Sequence, residues 1–297
     1  MKQSFLMTIM IIFFLSFYYS QSRIHSTSDS KRAKRAKRTN SNLKSKLKQN
    51  AFNKVSFTNE GYMPLSDIAS FGDIVWACTL NNTYYKYNPA GVTIQAAISG
   101  SSVFATNETC SRVATNSNGD LLVVTNLNNL NILKMVSSSS YSWSSISANI
   151  SDVATGPLSD SYAITTNGTI FKLLGSSLAP LKFTTQIFGS NCKIAVNNER
   201  EPIVYVVDSS RNLWRNSLST STKVDIDTIP VDVGVGSNYN LYIASTTGIY
   251  RKKNNVDHII KIADGIAGGI SAGNKLWING VDNFPYSAPL ETPAFGI

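Results

Sequence analysis

The sequence predicts an all-β protein: a six-bladed β-propeller of four-stranded antiparallel blades, its ring closed by an N-terminal strand. Three observations carry this. From Ala51 onward, short runs rich in Val, Ile, Tyr and Thr are broken by Gly, Asn, Ser and Pro every eight to twelve residues, the pattern of many short strands. Small-residue segments recur as "SDIAS", "SRVAT", "SDVAT", "CKIAV", "VDVGV" and "GGISA", centred on Ile68, Val113, Val153, Ile194, Val233 and Ile270 at intervals of 45, 40, 41, 39 and 37. A turn followed by an apolar residue, an aromatic and a base also recurs, in "NGTIFK", "RNLWR" and "TGIYRK". Self-similarity at this period, with four strand-sized segments per unit, describes propeller blades.

The segments ahead of the repeats lie outside the propeller. Residues 1–22 hold Lys2, an apolar run of fifteen residues and small residues at Ser20 and Ser22, which together read as a secretory signal peptide. The alternative is an uncleaved anchor, for which fifteen residues is short against the roughly 20 a membrane span needs. No later run is long and apolar enough to span a membrane. Residues 23–50 carry ten Lys or Arg, one Asp and no aromatic residue, the composition of a disordered tail. The formal charge of +9 is therefore local, because residues 51–297 hold 16 basic and 17 acidic residues. The tail reads either as an arm for anionic surfaces or as a pro-segment. "RAKR" ends at Arg35 and again at Arg38, resembling furin-type processing sites, and removal after Arg38 is the favoured reading. No nucleic-acid-binding fold or basic stripe follows.

Each unit is then built in the same order. The small-residue strand comes first, because blades crowd at the axis. A second strand follows ("IVWACT", "LLVVT", "SYAIT", "IVYVV", "LYIAS", "KLWIN"), then the third with its aromatic and base, then a looser fourth. The sixth unit runs short after "FPYSAP", while "NKVSFTN" (Asn53 to Asn59) is a spare strand without a blade. Pairing the two would close the ring and remove an open edge.

The repeat, with its small-residue strand, "VW" or an equivalent, and "G-x-I-Y/F-R/K", resembles the tectonin-type β-propeller repeat over about residues 53–297. The second-strand Trp of that pattern is present only as Trp76 and Trp277. The resemblance implies a secreted, non-enzymatic, lectin-like propeller that binds glycans, with an extracellular or secretory-granule protein-interaction scaffold as the alternative. Glycans or glycoconjugates are the expected partners, with protein partners the alternative, and no cofactor or metal is expected.

The propeller geometry sorts the candidate residues by face. The sequons at Asn81, Asn107, Asn149 and Asn167 fall in second-to-third turns or blade connections, all on the side where first strands begin. A ligand rim is expected on the opposite side, in the first-to-second turns: Asn116 and Asn118, Asn197 and Asn198, Asn238 and Tyr239. Amides there could read hydroxyls and Tyr239 could pack on a sugar ring, although Asn-Gly-Asp loops are also simply good turns. In an oxidising compartment Cys78 and Cys110, near the same end of neighbouring blades, are expected to bond, leaving Cys192 over.

Around the axis, the residue before each central apolar position reads Asp67, Arg112, Asp152, Lys193, Asp232 and Gly269. The bland interpretation is structural ion pairing. A Ca²⁺ site would need several oxygen ligands, and the interleaved bases argue against it. The two histidines, His25 and His258, build no Ser-His-Asp constellation or metal spacing. Axial carboxylates such as Asp67, Asp152 and Asp232 are the least poor catalytic candidates, and no enzyme is expected.

Overall fold

A computed structural model describes residues 58–59, 64–79, 81–87, 94–99, 107–137, 140–147, 149–181, 188–254, 256–265, 267–280 and 282–290. The signal segment, the basic tail with Arg35 and Arg38, and residues 53–57 of the spare strand lie outside the described residues. The strands form six antiparallel four-stranded sheets. After β1 (Thr58–Asn59), blade one is β2 (Asp67–Phe71), β3 (Ile74–Cys78), β4 (Thr83–Tyr87) and β5 (Ile94–Ser99). Blade two is β6 (Cys110–Thr115), β7 (Leu121–Thr125), β8 (Leu130–Ser137) and β9 (Ser140–Ser147). Blade three is β10 (Ile150–Thr155), β11 (Ser161–Thr165), β12 (Ile170–Leu174) and β13 (Ser177–Pro180). Blade four is β14 (Lys193–Asn197), β15 (Ile203–Val207), β16 (Leu213–Asn216) and β17 (Ser221–Val224). Blade five is β18 (Pro230–Val235), β19 (Leu241–Ser245), β20 (Gly248–Lys252) and β21 (Ile259–Asp264). Blade six is β22 (Ala267–Ala272), β23 (Lys275–Gly280) and β24 (Pro285–Pro289). Its fourth strand is β1, with Thr58 opposite Ser287 and Asn59 opposite Tyr286. The ring closes as the spare strand and the short last unit predict.

The hydrophobic core is divided among the junctions between blades. One cluster joins Ala69, Trp76 and Tyr84 of blade one to Val113, Leu121 and Leu133 of blade two. Equivalent clusters lie at the next four junctions. The last joins Trp277 of blade six to Ile68, Val75 and Tyr87 of blade one. Trp76 and Trp277 are fully buried, and side chains of this size each contribute about 2–3 kcal/mol on burial. The blades approach one another closely where the first strands end. A Cβ added at Gly273, just past β22, would lie 2.6 Å from the carbonyl oxygen of Gly72 in blade one.

The recurring base of the third strand also has a packing explanation. Register places Lys86 opposite Trp76, Lys172 opposite Tyr162, Arg215 opposite Tyr205, and Arg251 opposite Tyr242. Lys86 Nζ stands 5.8 Å from the Trp76 ring centre and Lys172 Nζ 6.0 Å from that of Tyr162, both within cation–π range. Blade two replaces the pair with Leu122 opposite Ile132. The base of the third-strand motif thus packs against the second strand of its own blade.

The Cys78–Cys110 disulfide is formed and ties β3 to β6 across the first junction. Beside it Asn82 accepts from the Cys110 N–H at 2.8 Å and donates to the Glu108 carbonyl. Cys192 is buried and free. Its thiol donates toward the Phe188 and Gly189 carbonyls, and burial pushes its pKa up to about 11.

Candidate active site

The first strand of every blade is a sheet edge, so its axis-facing N–H groups need acceptors from outside the sheet. Three aspartates supply them. Asp67 Oδ2 accepts from the Val113 N–H at 2.8 Å, Asp152 Oδ2 from Ile194 at 2.8 Å, and Asp232 Oδ2 from Ile270 at 3.0 Å. Each odd-numbered blade therefore reaches into the next even-numbered one, which accounts for an acid at every second position in the sequence series. Asp152 and Asp232, like Arg112, follow a local backbone irregularity. In β6, β10, β18 and β22 the register slips by one residue immediately before Arg112, Asp152, Asp232 and Gly269. A bulge of this kind turns one side chain out of the pleat.

These groups line an axial cavity of about 50 Å³, bounded by Asp67, Arg112, Asp152 and Asp232 above and by Ser70, Thr115, Thr155 and Ser271 below. Gly269 leaves room for two of the carboxylates. A Cβ there would lie 3.0 Å from Asp67 Oδ1 and 3.5 Å from Asp232 Oδ2. Asp232 is satisfied on both oxygens, since its Oδ1 also accepts from the Val233 N–H at 2.9 Å. Asp152 is not: Oδ1 receives no donor among the described residues. Arg112 donates through Nη1 to the Ser111 carbonyl at 2.6 Å, and its buried Nε has no partner.

Burial sets the protonation of this cluster. It raises the Asp67 carboxyl to about 7, against the lowering pull of Arg112 and with added repulsion from Asp232. It raises Asp232 to about 6 and Asp152 well above the usual carboxylate range, Asp232 adding to the latter. Burial works against the charge on Arg112, but Asp67, Asp152 and Asp232 together raise its pKa above the ordinary value. The site is one cation among three acids whose proton affinity burial raises, Asp67 and Asp232 to near neutrality, an arrangement suited to general acid–base chemistry. Among the described residues no group of three His, Cys, Asp or Glu is placed to hold a metal ion, and a cation on the axis would meet the Arg112 guanidinium. Lys193, the fourth charge of the series, does not line the cavity.

The expected ligand rim is placed on the lower face, but its amides hold the turns together. Asn116 Oδ1 accepts from the Asn118 and Asp120 N–H groups, and Asn238 from that of Asn240. Asn197 Nδ2 donates to the Tyr239 carbonyl, and buried Asn198 accepts from the Leu158 N–H at 3.0 Å. Tyr239 is half-buried with φ 59°, and only Asn118 of the six is exposed. The sequon residues Asn81, Asn107, Asn149 and Asn167 are all exposed, and strand direction puts all four on the upper side. His258 is exposed immediately before the outer strand of blade five.

No family model matches the chain, and no curated protein matches it. Solved structures do. A candidate gluconolactonase from a structural-genomics programme superposes with a TM-score of 0.56 at 11% identity, covering 80% of this chain and 92% of that one. A gluconolactonase from Xanthomonas campestris, described as important in glucose secondary metabolism, gives 0.55 at 11% identity, covering 78% and 88%. The chain is similar to these proteins in fold. They are gluconolactonase-type propellers, which overturns the tectonin resemblance and with it the expectation of a non-enzymatic glycan-binding lectin or protein scaffold. The physical reason is already visible: the base of the motif that carried the resemblance faces a second-strand aromatic in four blades, a packing role within the blade rather than a ligand site. The missed part of the site is the Ser/Thr collar below the acids. Its signal was the hydroxyl two residues after the central apolar position, as in Ser70, Thr115 and Thr155.

Proposed function

We propose that the protein is a hydrolase of small cyclic esters, working from the propeller axis. The observation that carries this is the axial cavity itself, lined both by Asp152, whose one donor among the described residues is the Ile194 N–H to Oδ2, and by Arg112, whose buried Nε is unpaired. Asp152 takes a proton from a water molecule in the cavity as that water attacks the ester carbonyl. Arg112 holds the oxyanion that develops, and the protonated Asp152 returns its proton to the ring oxygen as the C–O bond breaks. A ring ester has no separate leaving group, so both halves of the product depart as one hydroxy acid. The gluconolactonase names of the structural neighbours support this reaction class.

The test is hydrolysis of glucono-1,5-lactone above its spontaneous rate by the wild type and by Asp152→Asn. The amide keeps an oxygen for the Ile194 N–H, so the junction between blades three and four is preserved. Loss of the base is expected to lower kcat about 10²–10⁴-fold with the fold intact. No catalysis by the wild type on any five- or six-membered lactone refutes the assignment.

A further inference from the structure

A cavity of about 50 Å³ has room for a few waters but not for a ring, so the body of any substrate must sit elsewhere on the axis. Directly below lies a second cavity of about 200 Å³, and the two share Ser70, Thr155, Val235 and Ala272. We propose that this lower vestibule is a binding site for a small, uncharged, ring-sized molecule, and that the axial acids are reached through it from the lower face. That the bound ring is the scissile ester rests on the lactonase reading; the binding site itself does not.

Size, lining and rigidity all favour this. A cavity of roughly 150 Å³ is enough to hold a benzene-sized ring. The walls are mixed, with Phe71, Pro157 and Val235 offering apolar surface and Ser70, Thr155 and Asn274 offering hydroxyl and amide groups. No charged residue lines it, so a carboxylate or ammonium would lose its hydration without a counter-charge. An uncharged ester fits; the hydroxy acid made from it does not, which favours product departure.

The rim is preformed. Ser117 bonds to Ser159, Leu158 to Asn198, Asn197 to Tyr239, Ser237 to Gly273, and Asn274 to Gly72. Trp76 closes the circle by donating Nε1 to the Gly119 carbonyl at 3.2 Å. Every neighbouring pair of blades is thus laced together around the opening, and a preformed site loses little entropy on binding. The reach is also right. Ser70 and Thr155 each follow an axial acid by three residues, about 10 Å along a strand. A carboxylate extends part of that distance, and a water bridging base to carbonyl carbon spans about 6 Å more.

The test uses Ser237→Cys, at an exposed rim position whose backbone N–H bond to Gly273 survives the change. The variant is folded first and then modified with N-ethylmaleimide, an uncharged ring-sized reagent. Cys78 and Cys110 are bonded and Cys192 is buried, so the new thiol alone reacts. Binding of δ-valerolactam, which is not hydrolysed, is followed by ligand-observed NMR, and turnover of δ-valerolactone in parallel. Binding is expected before modification, with affinity falling about tenfold or more after it. Absence of binding, or binding unchanged by modification, overturns the vestibule. Binding lost on modification without turnover by any form keeps the vestibule and removes the lactonase. Turnover undiminished after modification keeps the lactonase and removes the lower route.

Discussion

The axial carboxylates make the stability of the propeller depend on pH, and Asp67→Asn isolates one of them. Asp67 has a folded pKa of about 7 against 3.8 for the free side chain. Between those values the folded protein holds a proton that the unfolded chain has released. Unfolding free energy therefore falls as pH rises, by about 1.4 kcal/mol per unit, and the loss is complete above pH 7. Between pH 4.5 and pH 8 this amounts to about 3 kcal/mol. Asn keeps an oxygen for the Val113 N–H bond but cannot ionise. Removing the charge also relieves Asp152, whose pKa Asp67 helps to raise. The variant should thus gain stability relative to the wild type as pH rises. Urea denaturation at pH 4.5 and pH 8, followed by tryptophan fluorescence, measures the difference. A stability gap between the two proteins that stays constant with pH would refute the buried, proton-sharing cluster.

Other consequences are simpler. Gly269→Ala puts a methyl group against the Asp67 and Asp232 carboxylates; chemical denaturation should show a loss of about 1–3 kcal/mol. Replacing Cys78 and Cys110 together with Ala removes a cross-link over 32 residues, and thermal or urea unfolding should register about 3–4 kcal/mol. Lys86→Met keeps the stem but loses the charge over Trp76; a cost of about 0.5–1 kcal/mol is expected, and none would mean the pair is packing alone.

The fold was legible because propeller repeats impose the same local demands six times. Small residues recur wherever blades crowd, as at Gly273, and the spare strand at Thr58 could only be the missing edge of blade six. The site was half legible, for a physical reason. Spacing alone put Asp67, Asp152 and Asp232 in equivalent positions, but not their burial, nor the slips before Arg112 and Asp152 that turn side chains toward the axis. Burial is what separates a surface carboxylate from one that holds a proton near neutrality, and it depends on all six blades together. The Asn-rich turns show a second limit of the sequence. An amide in a loop offers the same atoms to a ligand or to a neighbouring N–H, and only the closed ring reveals that Asn197 reaches blade five and Asn198 blade three. The lacing that uses up those amides also holds the lower opening rigid. In the folded chain those turns frame the lower opening of the axis.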